Sequence, residues 1–472
     1  MAEHTAGALS DLIGSRLLGT PAALVTSITL DSRSVQPGAL FCCVPGALHD
    51  GHDHAAAAVE AGATALLVER ELPLPVPQLL VDDVRLAMGP LAAAIYDNPT
   101  AAGDRKVRVV GVTGTNGKTT TVTLVAQILD ALGVAAATIG TLTGARTTPE
   151  APELQAQFRQ FAESGVEVVA IEVSSHALAL HRVDGTRFEV SVFTNIGIDH
   201  LDFHHTQEQY FAAKARLFEP SLSEQGVVNL DDVHGRLLRD ASTIPMTGFS
   251  VSALDDLVFH ARGARFTWRG ERVELPLVGR FNVANALGAA EAVRALGFAE
   301  SAIASAMAEL KAPGGRFEVV DAGQPFLVVV DYAHTPDALE NVLLTARDLV
   351  DRGKLRVVFG CGGDRDVSKR PQMGAVAARL ADEILITSDN PRSEDPSAII
   401  EAVKAGSSTP LASIVDRRDA IETVLAEAGP GDVVVIAGKG HETTQTIGST
   451  VIPFDDRAVA ATWLASRDWG SA

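Results

Sequence analysis

The sequence predicts an α/β fold of about three domains built on mostly parallel sheets. Its 472 residues exceed one comfortable domain. From about residue 105 onward, short β-branched runs alternate with helical stretches, the pattern of parallel strands joined by crossover helices. Nearly every such run ends in a cluster of glycine and polar residues, as loops do at the carboxyl edge of a parallel sheet. A hydrophobic content of 46% is ample for packed cores and excludes wholesale disorder.

In chain order, 27–30 and 39–44 read as short strands, the alanine-rich stretch 54–61 as a helix and 64–68 as a further strand. Together they form a small α/β unit. The polar, turn-prone run from Asp97 to Asp104 marks a linker. Strands at 107–112, 166–173, 190–194 and 227–230 follow, with helices between them. A second αβ block begins near Phe326, with strands at 326–330, 355–359, 383–386 and 433–436. Two sheets whose strand ends are both loaded with polar residues imply a cleft between two domains.

Val107 to Thr121 is the most specific segment. A β-branched strand enters the turn Gly114-Thr115-Asn116-Gly117-Lys118-Thr119, and an amphipathic helix follows with Val122, Val125, Leu129 and Leu132 on one face and Gly133 as its stop. Glycines let backbone N–H groups approach phosphates, and the helix N-terminus adds a favourable dipole. Lys118 suits the β/γ-phosphates and Thr119 suits Mg²⁺. Val112 stands where the strict phosphate-loop pattern has its first glycine. A nucleoside triphosphate is the expected ligand.

The remaining clusters admit two readings each. Glu172 ends an apolar strand, either as a Mg²⁺ ligand or as a solvated terminus; the upstream phosphate loop favours the metal. Asp199, His200, Asp202, His204 and His205 invite zinc but lack a defined third ligand, so only His200 is read as lying near Mg²⁺ and the others as loop or helix-surface residues. Lys214 lies in a helix expected to pack Phe211, Leu217 and Phe218 inward; a lysine there is ordinarily solvated or snorkelling. Arg365 and Arg392 form either a carboxylate fork or two ordinary turns.

Net charge is -20, with 59 acidic and 39 basic residues, which argues against nucleic acid as a partner. Three cysteines make no disulfide framework or Cys-x-x-Cys spacing. No signal-like start and no membrane-length apolar run is evident. The simplest expectation is a soluble protein of a reducing cytoplasm.

From end to end these motifs resemble the Mur ligases, most closely the branch that extends a UDP-muramoyl dipeptide to a tripeptide. The resemblance is carried by Asp31-Ser32-Arg33 with Pro37-Gly38, the loop Thr113 to Thr120, Thr147-Thr148-Pro149, Glu172 to His176 and Asn195 to Asp202. Lys214 in its helix, Asn282 to Asn285, Gly315 to Glu318 and the clusters around 365, 389 and 438 complete it. It implies a central P-loop ATPase-type domain at 105–320. That domain is flanked by a small N-terminal α/β domain at 1–104 for the UDP end and a Rossmann-like C-terminal domain at 321–472 for an incoming amino acid. It also accounts for Val112, because Thr-Gly-Thr-Asn-Gly-Lys-Thr is the family's own form of the loop.

The implied cofactors are ATP and Mg²⁺. Gly114, Thr115, Asn116, Gly117, Lys118, Thr119 and Thr120 would hold ATP phosphates, and Asn285, Arg316, Asp331 and His334 would contact the nucleotide. Thr119, Glu172 and His200 would lie around two Mg²⁺ ions, bridged by Lys214 as a carbamate. Lys118, Lys214, His200, Glu172 and Arg316 would be the catalytic set. Leu30, Ser32, Thr147, Thr148, Ser174 and Arg182 would bind the UDP-muramoyl dipeptide. Arg365, Asp389, Asn390, Pro391, Arg392, Gly438 and Glu442 would bind the amino acid. Asp389-Asn390-Pro391-Arg392 matches the form that takes meso-diaminopimelate, with L-lysine or ornithine as alternatives and a phosphotransferase without ligation as the reading from another class. The expected partners are these small molecules, with no nucleic acid, no membrane insertion and a monomeric chain. Two positions depart from the family pattern. Leu180 stands where some relatives have a substrate-binding glutamine, and Ala47-Leu48-His49 replaces a more polar uridine-contacting stretch.

Overall fold

A computed structural model describes residues 4–46, 49–103, 105–260, 263–350 and 352–469; Ala47 and Leu48 of the uridine stretch, and Asp104 of the linker, lie outside them. Three α/β sheets follow one another along the chain. The first has five strands in the order Arg16–Leu18, Gln78–Leu80, Ala63–Val68, Ala39–Cys42 and Ser27–Thr29, parallel except for Arg16–Leu18. The helix Val84–Ile95 packs on it, and Asp83 caps that helix through Arg85 N and Leu86 N.

The second sheet is wholly parallel. Its order is Met246–Phe249, Ser223–Asn229, Phe188–Phe193, Arg108–Thr113, Val168–Glu172 and Ala136–Ile139. Val109, Val110, Val168 and Val169 are all fully buried, so these strands read as continuous apolar runs, as expected where helices cover both faces. Register fixes the chemistry at the sheet's edge: Glu172 pairs with Val112 and Phe193 with Thr113. Glu172, the phosphate loop and Asn195 therefore emerge side by side.

The third sheet runs Glu318–Val319, Leu327–Asp331, Val433–Ala437, Leu355–Phe359, Glu383–Ile386 and Ala412–Ser413. Only Glu318–Val319 is antiparallel, and it joins this sheet from ahead of residue 321. Asp331 and Phe359 both pair with Ala437, which brings the loops after all three strands to one level.

One part of the middle region departs from the expected alternation. Val258–His260, Gly263–Trp268 and Glu271–Leu275 form a separate antiparallel sheet. Its inward residues Phe266, Trp268, Val273 and Leu275 close the core beneath the helices Lys118–Ala131 and Arg280–Ala295.

The first lobe is docked firmly on the second. Arg159 bonds Asp97, Arg85 Nη1 lies 3.4 Å from Glu150 Oε2, and Gly89 lies against the Asp184 carbonyl so closely that a Cβ would collide with it. Gly89→Ala is expected to cost about 1–3 kcal/mol, the usual penalty for overpacking, read as a lower urea midpoint with an unchanged slope. Among the described residues no helix is long and apolar enough to cross a membrane, and Cys42, Cys43 and Cys361 are free and buried.

Candidate active site

The turn after Arg108–Thr113 leads into Lys118–Ala131 with no side chain capping the helix, and its first residues Lys118 to Thr120 line a cleft, which suits the helix N-terminus to an anion. Gly117 has φ +86, a left-handed value, and any Cβ there would collide with the Asn285 amide oxygen. Glycine at this position is what lets the helix Arg280–Ala295 bring Asn285 against the loop. A neighbouring loop holds the turn rigid: Asn116 N donates to Asn195 Oδ1 (2.9 Å), Thr194 Oγ1 to Asn116 O (2.6 Å) and Gly197 N to Thr115 Oγ1 (2.9 Å).

Two lysines converge on one carbonyl. Lys118 Nζ and Lys214 Nζ each donate to Gly114 O at 2.8 Å. Lys214 is not the solvated or snorkelling side chain that its helix position suggests; it is 1% exposed, with its Nζ 4.4 Å from the centre of the Tyr210 ring. The helix Gln207–Ala215 buries Tyr210 in place of Phe211, which is half-buried, while Leu217 and Phe218 pack inward as expected. Burial, then the nearby Lys118 charge, pushes the Lys214 amine well below the ordinary lysine range.

Glu172 is 2% exposed, which removes the solvated-terminus reading. It accepts from Thr119 Oγ1 (3.0 Å) and Thr141 N (2.8 Å). His200 has φ 55 and its Nε2 lies 3.4 Å from Asp199 Oδ2; partial desolvation in the cleft, the largest influence, lowers its pKa although 46% of the side chain stays exposed. His204 is not on the surface: it is buried, with Nε2 2.9 Å from Ser175 Oγ, whereas Asp202 and His205 are exposed. Among the described residues no group of three His, Cys, Asp or Glu side chains could hold a metal by itself.

The third sheet faces this edge across a cleft of about 1070 Å³. Thr115 to Thr120, Glu172, His200, Lys214 and Asn285 line one wall; Arg316, Asp331, His334 and Arg365 line the other. Arg316 spans the gap, with its guanidinium 4.3 Å from the Tyr332 ring centre and Nη2 3.3 Å from Thr119 Oγ1. Asp337, in the helix Pro336–Asp348, accepts from Ile198 N at 2.9 Å and forms a second tie. Asp331 accepts from Phe317 N and Ala333 N, both at 2.7 Å, and burial raises its pKa. Burial holds the His334 pKa down at about 4, and its Nδ1 lies 2.9 Å from Tyr332 O.

The other expected residues fall into two groups flanking the cleft. Thr147 and Ser174 line it, Thr148 Oγ1 donates to Glu172 O (2.8 Å), and Arg182 Nε lies 3.0 Å from Glu150 Oε1. Leu30 and Ser32 sit on the first lobe outside the lining, beside Asp31, whose carboxyl feels Arg146. At the far end, Asp389 and Asn390 are buried beside Gly438 and Glu442. Burial raises the Asp389 pKa, against the pull of Arg417 and Lys439. Arg392 is also outside the cleft lining; its Nη1 donates to Gly363 O at 2.7 Å. Arg392 and Arg365 both flank Gly362: a Cβ there would lie 3.0 Å from Arg392 Nη1 and 3.9 Å from Arg365 Cγ. Pro391 precedes Arg392, with its carbonyl packed on Gly363. Sequence reasoning missed Tyr332 and Lys439. The motif containing Lys439 was visible, but nothing local marks a lysine that folds inward.

These features define a phosphate-loop nucleotide-binding α/β protein whose second and third lobes share one cleft. Residues 24–96 match the Mur ligase family catalytic domain, 112–293 the Mur ligase middle domain and 315–440 the Mur ligase glutamate ligase domain. The UDP-N-acetylmuramoyl-L-alanyl-D-glutamate--2,6-diaminopimelate ligase of Geobacillus kaustophilus is 45% identical over 473 residues, covering 94% of this chain and 95% of that protein. The protein of the same name from Streptomyces coelicolor is 45% identical over 469 residues, covering 93% and 92%. A solved structure of a UDP-N-acetylmuramoyl-L-alanyl-D-glutamate--2,6-diaminopimelate ligase superposes with a TM-score of 0.69 at 36% identity, covering 95% of this chain and 96% of that one. The chain belongs to the Mur ligase family.

Proposed function

We propose that this protein is an ADP-forming ligase that joins an amine of meso-2,6-diaminopimelate to the D-glutamate carboxylate of UDP-N-acetylmuramoyl-L-alanyl-D-glutamate, in peptidoglycan precursor synthesis. One observation carries the reading: the phosphate loop and the strand-end loops of the third sheet line one cleft, tied across it by Arg316 and Thr119. The names of relatives at 45% identity supply the substrates.

Amide formation needs an activated carboxylate. The D-glutamate carboxylate attacks the γ-phosphorus of ATP, giving an acyl phosphate and ADP. The amine of the amino acid then attacks the acyl carbon, and phosphate leaves as the amide C–N bond forms. Lys118, bonded to the loop's Gly114 O, and Arg316, beside Thr119, would neutralise charge on the transferring phosphoryl group. Asn285 and His334 bound the nucleotide, while Thr147, Thr148, Ser174 and Arg182 orient the acidic peptide end. Asp389 and Glu442 offer acids to an ammonium, and Arg365 and Arg392, on either side of Gly362, offer guanidiniums to a carboxylate. Diaminopimelate has a second ammonium-carboxylate centre that lysine lacks. One chain supplies every group, so a monomer suffices.

The donor set fits Mg²⁺. Thr119 Oγ1 and the Glu172 carboxylate are hard oxygen donors, and two such donors would leave the rest of an octahedral shell to waters and phosphate oxygens. His200 is the softer donor, and Lys214 joins only as a carbamate. When bound, the metal would supply charge stabilisation at the phosphates.

The test is a panel of amino acids assayed with ATP and the UDP-muramoyl dipeptide. Tripeptide product is expected with diaminopimelate and little with L-lysine or ornithine; preference for either of those overturns the amino-acid assignment.

A further inference from the structure

Behind the third sheet's loops lies a cation that the ligation chemistry above does not use. Lys439 follows Gly438 after the strand Val433–Ala437 and has no exposed surface. Its Nζ donates to Asn390 Oδ1 (3.2 Å), Glu442 Oε2 (3.1 Å) and Thr444 O (2.7 Å). An ammonium has three hydrogens, so these bonds use every donor and leave none for a ligand. The Asn390 oxygen also accepts from Thr446 N at 3.0 Å, and its amide nitrogen donates to Glu442 Oε2 at 2.8 Å. The Asn390 amide is thereby fixed in one orientation. Glu442 Oε2 is occupied by two donors, and Oε1 takes part in neither bond. Asp389 Oδ1 lies 3.8 Å from the same Nζ.

We propose that Lys439 is a positioning residue for diamino-acid recognition: it orients Asn390 and Glu442 so that Glu442 Oε1 and Asp389 receive the substrate's second ammonium. The proposal rests on the function argued above. Without this cation Glu442 loses the donor that holds its Oε2 in place, Asn390 keeps only its bonds to Thr446 N and Glu442, Asp389 is left with Arg417 as its main screening charge, and the ammonium site loses its shape. The reach of Lys439 ends there: it does not line the cleft, and among the described residues its ammonium donates only to Asn390, Glu442 and Thr444.

The test is steady-state kinetics on wild type, Lys439→Met and Lys439→Gln, varying ATP, the dipeptide substrate and diaminopimelate in turn. The KM for diaminopimelate is expected to rise about 10- to 100-fold in Lys439→Met, in line with removing one partner from a buried charge cluster. The KM for ATP should stay near the wild-type value, and Lys439→Gln, which restores a donor to Glu442, should recover part of the loss. An unchanged KM for diaminopimelate, or parallel rises for ATP and diaminopimelate, overturns the proposal. Should Lys439→Met give no folded protein, the same split is read on Lys439→Gln alone. A wild type that ignores diaminopimelate but uses another diamino acid refutes the substrate assignment instead, and the split is then read on that amino acid.

Discussion

Lys118→Ala is expected to lower kcat by about 10²- to 10³-fold, the loss typical of removing one charge-stabilising donor from a site of phosphoryl transfer. Lys118 folds back on its own loop, donating to Gly114 O and Thr115 O at 2.8 Å, at the foot of an uncapped helix. Burial lowers its pKa, so the ammonium is poorly solvated and gains strongly from a phosphate partner. The truncation removes no core packing, and the thermal midpoint should barely move. A kcat within about tenfold of wild type at saturating ATP would contradict the role assigned to Lys118.

Lys214→Ala is expected to cost about 10²-fold or more in kcat, because it would remove the oxygen donors that a carbamylated Lys214 would offer a metal ion. The unmodified amine is well suited to that modification. Burial and the Lys118 charge favour the neutral amine over the ammonium, and a neutral amine adds CO₂ to give a carbamate with release of a proton. Activity should therefore depend on dissolved bicarbonate and rise with pH. A labelled carbonate pool should give a carbamate carbon signal in wild type that is missing from Lys214→Ala. For the unmodified chain the linkage sign is definite. The unfolded state holds a proton that the folded state lacks, so stability rises with pH from the depressed value up to the ordinary 10.5. Full activity in Lys214→Ala, or no bicarbonate dependence, would remove the carbamate from the account.

How much of this was legible in the sequence depends on how local each feature is. The phosphate loop could be read because strand, glycine turn and helix are contiguous, and Glu172 because it ends an apolar run. Arg316 could not be joined to Thr119 from sequence pattern alone, since 197 positions separate them and only the shared cleft brings them together. Lys214 looked like a surface residue, because its burial comes from packing against Gly114, 100 positions away. The antiparallel sheet formed by Val258–His260, Gly263–Trp268 and Glu271–Leu275 escaped notice because its strands are short and the exposed Val258 and Phe259 mask the first of them, although Arg265 and Arg272 do alternate with the buried Phe266 and Val273. Local pattern reveals elements that bury their own surface. It is silent on side chains whose environment is made by distant chain.

The central claim is that one cleft couples nucleotide cleavage to amide formation. It is tested most directly by measuring ADP, phosphate and tripeptide together in the steady state, with and without diaminopimelate. The account predicts that all three accumulate in equal amounts when the amine is present and that steady release stops when it is omitted. Continuous ADP and phosphate release at the same rate without an amine would contradict it.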